Sequence, residues 1–221
     1  MDFKQKVKSG IFTATGALVI GLVAAPSVDH VLHAASNNVT TVSDTTAPTT
    51  VKATDQTVKA TAASGTKSNY SVSYVKAGTS SKTATYKQTD YDNSSVAQNK
   101  VDYLANTQGD TVKLNSGTTA TVQGTMGRLY VHWNTGNWSV TTVANTQDVV
   151  QNPTKFANKV NSQIKQQSLT TQGATSGSVT VYNQPQSGEA NSVKWQNSDQ
   201  VSQVQGQQAN TVLKIAATAQ K

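Results

Sequence analysis

Few residues in this chain could carry chemistry. There is no cysteine. That removes thiol nucleophiles, disulfides, thiolate-bound metals and a lipidated N-terminal cysteine. Histidine occurs at positions 30, 33 and 132. The first two precede the expected start of the mature chain, which leaves His132. One histidine does not make a His-based zinc site, and no Gly-x-Ser-x-Gly elbow accompanies it. Glycoside hydrolysis needs two carboxylates, but Glu189 is the only glutamate and lies in the loop-like Ser187-Gly-Glu-Ala190. Asp90-Tyr-Asp92-Asn93 lacks the Gly and terminal Glu of a calcium loop, and no Gly-rich phosphate loop precedes a helix. The expectation is no catalytic residue, no metal, no cofactor and no enzymatic activity. What remains is ligand binding. Arg128, the only arginine, alternates with Leu129, and Tyr130 and His132 alternate with Val131 and Trp133. If one face binds a ligand, it is the face of Arg128, Tyr130 and His132. Trp133, Trp138 and Trp195 are expected in the core.

These residues need strands to hold them. Arg128–Trp133 has period-two alternation, Asn134-Thr-Gly136-Asn137 is a turn, and Trp138, Val140 and Thr142 return on a partner strand. Thr111–Leu114 and Thr119–Val122 flank Asn115-Ser-Gly117 as a hairpin with Val112, Leu114, Ala120 and Val122 on one face. Asn152-Pro153 reads as a helix start. Phe156, Val160 and Ile164 then form a stripe that faces the core and Trp133. Ala97, Val101, Leu104 and Ala105 predict a helix from about Ser95, with capping-box spacing to Gln98 and Gly109 as terminator. Ser178–Tyr182, Val193–Trp195 and Val201–Gln205 read as strands, and Val212–Ala216 as a terminal helix. Tyr70–Val75 and Thr83–Tyr86 around Gly78 suggest a hairpin at the edge of the folded domain. Val131-His-Trp133-Asn134 echoes Val193-Lys-Trp195-Gln196. Each is followed by a turn, a return strand and a helix, which fits either two ββα units or two unrelated hairpins under a tryptophan.

The N-terminus has the three parts of a secretory signal: Lys4, Lys6 and Lys8, an apolar stretch Ile11–Ala25, and small residues at Ala34-Ala35. The stretch is shorter than the ~20 residues of a stable span. Cleavage is expected after Ala34 or Ala35, leaving no membrane span. Residues 36–69 contain no aromatic, Leu, Ile or Met, and are read as a disordered Thr/Ser/Ala stalk. The division expected is therefore signal peptide 1–35, stalk 36–69 and an α+β domain 70–221, most strongly marked over 92–221. Cysteine-free export points to a Gram-positive envelope. The net charge is +7, which favours polyanionic surroundings. The lysines are scattered, without the basic clusters or interleaved aromatics of nucleic-acid binders, and nucleic acid is not an expected partner.

Trp133 and its hairpin, the helix from Pro153, Val193-Lys-Trp195-Gln196 and Val212-Leu-Lys-Ile-Ala216 resemble a pattern in uncharacterised exported proteins and lipoproteins of lactic-acid bacteria. The C-terminal half is also similar to extracytoplasmic regulatory domains of Firmicutes related to lipoprotein-carrier folds. The likeness covers roughly residues 110–221. It implies an α+β fold, a curved antiparallel sheet with two or three helices packed on it, and it supplies no catalytic residues. The chain departs from the pattern in lacking the lipidated cysteine and in carrying Val201 or Val204 where the last strand usually has an aromatic. The function expected is a secreted, non-catalytic, cell-envelope-associated protein whose partners are anionic wall polymers or surface carbohydrate. A regulatory or sensory module and an envelope-acting hydrolase are the alternatives. The oligomeric state is left open.

Overall fold

The computed structural model describes residues 37–54, 56–149 and 151–221, and the expected signal peptide lies outside them. Twelve strands form one open sheet: β1 (Asn38–Val39), β2 (Thr50–Lys52), β3 (Thr57–Thr66), β4 (Asn69–Lys76), β5 (Lys82–Asp90), β6 (Asp110–Lys113), β7 (Thr119–Thr125), β8 (Arg128–Thr135), β9 (Trp138–Asn145), β10 (Ser176–Tyr182), β11 (Asn191–Asn197) and β12 (Gln200–Gly206). The spatial order is β1-β3-β4-β5-β12-β11-β10-β9-β8-β7-β6, with β2 on β3. Every pairing is antiparallel except β9 with β10. A parallel neighbour needs a long crossover, and α2 (Thr146–Val149) and α3 (Lys155–Gln166) supply it. The remaining helices are α1 (Ser94–Gln98) and α4 (Ala209–Ala219). The expected α+β class holds in outline, with sheet predominating.

Alternation assigns the two sides of the sheet. On one side Leu129, Val131 and Trp133 of β8 meet Ala144, Thr142 and Val140 of β9, followed by Val179, Val193, Val204 and Tyr86 on the next strands. This side carries the core, with Val160 and Ile164 of α3 and Leu213 and Ile215 of α4 in the same buried cluster. Trp133, Trp138 and Trp195 are each 1 % exposed, as expected of core residues. Trp138 lies over Gly177, where a Cβ would sit 2.2 Å from the indole. A glycine is therefore required beside it. Trp195, Tyr86 and Tyr70 continue the row, with successive ring centroids 6.1 Å apart. α3 begins after Thr154, two residues later than Asn152-Pro153 suggests, and keeps its stripe. Both Trp strands, β8 and β11, are followed by an antiparallel return strand and a helix.

Three expectations change. Residues 38–66 are not a disordered stalk. They form β1–β3, and Val39, Val51 and Val58 are each at most 2 % exposed. Residues 36–221 make one compact unit. The segment has little apolar surface of its own, but it needs little. Its small and β-branched side chains pair with β4, and long-range bonds tether it. The Tyr74 hydroxyl donates to the Pro48 carbonyl at 2.6 Å, and Thr46 joins Tyr70 and Tyr86 in donating hydroxyls to Gln88 Oε1. The β4–β5 hairpin is consequently interior, between β3 and β12. Finally, the helix expected through Ala105 stops at Gln98. Asn93, not Ser95, caps it by accepting from Val96 N, and Asp102 takes φ 59°. Gly109 stands at the entry to β6, not at a helix end, with φ +143°.

The reason is topological. β5 and β6 are consecutive in sequence, yet six strands separate them in the sheet. Residues 91–109 cross that distance as a strap over the side of the sheet opposite the core. Ala97 and Val101 pack on Val201 of β12. Gln196 of β11 donates to the Ser94 carbonyl, Ser178 of β10 to the Val101 carbonyl, and Asn134 of β8 to the Ala105 carbonyl. From β10 to β8 is about 10 Å at ~4.8 Å per strand. The four residues from Val101 to Ala105 would advance only ~6 Å as a helix, so the chain is extended there.

Candidate functional site

Arg128, Tyr130 and His132 do share the strap side, as alternation requires, but they do not form one site. Four residues of strand place Arg128 and His132 roughly 13 Å apart. The Arg128 guanidinium, 11 % exposed, is held by both Glu189 oxygens at 3.0 Å. Glu189 also accepts from Gln186 N at 2.7 Å. The only arginine and the only glutamate of the sequence thus pair through Arg128 Nη2, while Arg128 Nη1 is buried without a partner. Nearby, burial and the Glu189 charge push the Tyr182 hydroxyl above the usual tyrosine range.

His132 is 6 % exposed, not half-exposed as a bare sheet face would leave it, because the strap covers it. Its Nδ1 is 3.0 Å from Thr141 Oγ1 on β9. Nε2, at the far end of the ring, is buried and makes no hydrogen bond. Among the described residues no carboxylate orients the ring. Burial holds its pKa below the usual histidine value, and the Leu104 backbone and Asn134 side chain offset part of that. Two small cavities meet at this residue. One, about 170 Å³, is lined by Leu104, Thr107, Gln108, Tyr130, His132 and Thr141 among others. Its neighbour, about 240 Å³, shares Thr107, Thr121 and His132 with it. Thr107 Oγ1 is likewise buried without a partner.

A second feature is invisible along the sequence. Lys87 of β5, Gln203 of β12 and Lys194 of β11 form one row across three adjacent strands. With Lys100 and Asp102 of the strap and Tyr91 they line a cleft of about 340 Å³. Lys194 is paired with Asp102 at 2.5 Å, so Lys87 and Lys100 are left as the excess positive charge. Lys52 and Lys59 are on the same side of the sheet, since their strand neighbours Val51 and Val58 are buried on the other. Lys87, Lys100 and Lys194 are far apart in the chain, and no local clustering marks them. The one legible sign is alternation with buried Tyr86 and with Val193 and Trp195, which places Lys87 and Lys194 off the core.

Among the described residues no group of three or more His, Asp or Glu side chains could hold a metal ion, and no helix is long and apolar enough to cross a membrane. No family model, curated protein or solved structure matches this chain.

Proposed function

We propose that this chain is an exported, non-catalytic protein retained in the cell envelope by anionic polymer, and that the strap side of the sheet is the contacting surface. One observation carries the reading: Lys52, Lys59, Lys87 and Lys194, on four different strands, point to the same side, and the strap adds Lys100 there. Lysines scattered in sequence become a shared field, which attracts polyanions without a specific pocket. The leader-like N-terminus and the net charge of +7 agree with this location and partner. The non-catalytic reading rests on the Glu189–Arg128 pairing, which engages both Glu189 carboxylate oxygens.

The test is binding to isolated cell walls with and without their anionic polymer. Retention at 0.1 M salt and release towards 1 M are expected, because the Debye length falls from ~10 Å to ~3 Å. Replacing Lys52, Lys59, Lys87 and Lys194 by Gln should weaken retention more than replacing Lys155, Lys159 and Lys165, which belong to α3 on the other side. Equal binding to stripped walls, or binding that persists in 1 M salt, would overturn the electrostatic account.

A further inference from the structure

The cleft between β5, β12, β11 and the strap concentrates charge that the rest of the strap side spreads out. Lys87, Lys100, Lys194 and Asp102 line it, three lysines against one aspartate, a net charge of +2. Lys194 and Asp102 are paired, and among the described residues Lys87 and Lys100 belong to no ion pair. We infer that this cleft is a discrete site for one phosphodiester group, held between Lys87 and Lys100, and that Asp102 is a built-in competitor whose carboxylate occupies Lys194 until a phosphate displaces it. The inference rests on the reading that the strap side meets an anionic polymer. It narrows the anion to a phosphodiester and the contact to a single cleft.

Four observations carry the inference. First, both free lysines are open to solvent yet stand on fixed backbone. Lys87 is exposed between buried Tyr86 and Gln88 on an interior strand, and Lys100 is exposed beside fully buried Val101. Ala97, Val101 and Tyr91 pack on Val201 and fix the strap at this point. Binding therefore orders side-chain stems and no backbone, which keeps its entropic cost low. Second, the lysines come from three separate elements, β5, β11 and the strap, and no arginine lines the cleft. The planar fork that matches a carboxylate is missing, whereas lysine point charges suit a tetrahedral phosphoryl group whose oxygens point several ways. Third, the cleft of about 340 Å³ is within the range of small-molecule sites. It admits the phosphate together with the alcohol carbons it joins, and Asn99 and Tyr91 on its wall offer an amide and a phenol to the hydroxyls of that alcohol. Fourth, Asp102 is 72 % exposed in its pair with Lys194 and takes the left-handed φ of 59°. That backbone costs energy in a residue with a side chain, and an exposed pair returns little. An external anion can replace this carboxylate at low cost.

The experiment is NMR titration of the full chain at low salt with a glycerol–phosphate–glycerol diester and with glucuronate, which carry one negative charge each. The diester should give saturable shifts at Lys87, Lys100 and Asn99, and glucuronate weaker ones that do not saturate. Lys87→Gln and Lys100→Gln should each weaken diester binding ~5-fold, the effect of one unit charge at about 4 Å in water. Asp102→Asn keeps a residue that tolerates the left-handed backbone and removes only the competitor, so binding should tighten several-fold. Asp110→Asn, on the edge strand β6, changes the net charge equally and should leave binding unchanged. The inference fails if the diester does not saturate, if glucuronate binds as well, or if Asp110→Asn tightens binding as much as Asp102→Asn. Any of these would reduce the cleft to part of a diffuse field, and salt-dependent retention on walls would survive. Conversely, equal retention on stripped walls would end the retention reading and leave saturable diester binding intact. The same diester occurs in phospholipid headgroups, so the free diester is also used as a competitor against isolated walls and against phosphatidylglycerol vesicles. Displacement from walls is expected. Displacement from vesicles alone would overturn the polymer as the source, and displacement from neither would overturn the site.

Discussion

The same strands face two ways. Towards α3 and α4 they present Val131, Trp133, Val140, Val179, Val193, Trp195, Val204 and Tyr86, all at most 2 % exposed. Towards the strap they present Tyr130, His132, Ser139, Thr141, Ser178, Lys194 and Gln203. The helix-covered side is closed by apolar packing. The strap side is closed by side-chain hydroxyls and amides bonding to a peptide backbone, with a small apolar anchor where Ala97, Val101 and Tyr91 pack on Val201. Each side nevertheless keeps a buried polar atom without a partner, Trp133 Nε1 on the packed side and Thr107 Oγ1 under the strap. The two sides differ in what closes them, not in whether every polar group is paired.

The largest way to test this contrast is to empty the packed side. Trp133→Ala should lower stability by ~3–5 kcal/mol, the range for removing a buried large aromatic, read as the shift in a urea unfolding curve. Trp133→Phe should cost clearly less, because the indole N–H is buried without an acceptor and the substitution removes that group. Overfilling comes next. Gly177→Ala puts a methyl into the Trp138 ring, and a loss of ~1–3 kcal/mol is expected from overpacking. A Tm unchanged in either variant would mean that the two sides are less different than their burial suggests.

On the strap side the expected effects shrink. Asp102→Asn breaks the pair with Lys194, but Asp102 is 72 % exposed. A surface pair contributes only ~0.2–1 kcal/mol, so the change in stability should fall within that range. A larger loss would show that the strap is held by charge. The smallest effect is read as a slope with pH. His132 has a folded pKa below its ordinary value of about 6.5. The unfolded chain therefore takes up its proton first as pH falls. The stability that comes from keeping the ring neutral is complete above about 6.5 and is lost progressively below it, down through the folded pKa. His132→Gln should flatten the unfolding free energy in that window. An unchanged slope would assign the pH dependence to other groups.

Much of the helix-covered side was legible in the sequence. Alternation around Trp133, the Asn115-Ser-Gly117 turn and the stripe of Phe156, Val160 and Ile164 are local patterns, and the strands and helix follow them closely. The segment 36–69 was not legible, because composition measures what a segment can bury by itself. Val51 and Val58 are buried against surface that other elements supply, and the hydroxyl cluster on Gln88 joins Thr46 to Tyr70 and Tyr86. The strap misled for a related reason. Ala97, Val101, Leu104 and Ala105 have helical spacing, but Leu104 is 47 % exposed. The distance to be crossed overrode the periodicity.

By itself the sequence determined which side chains could react and which strands would bury which alternate residues. It excluded thiol and disulfide chemistry, and it isolated Arg128 and Glu189 as single representatives of their types, with His132 the one histidine among the described residues. Period-two alternation fixed that Tyr130 and His132 share one side and Trp133 the other. Only the tertiary structure decided what those residues meet. Inserting β10–β12 between β5 and β9 forced residues 91–109 across the sheet, and that crossing buried His132. The same strand order brought Lys87 into one row with Lys194, across Gln203, and matched Arg128 with Glu189. Local sequence sets the direction of a side chain within its strand. The order of strands sets its neighbours, and that order depends on long-range pairing that no local pattern encodes.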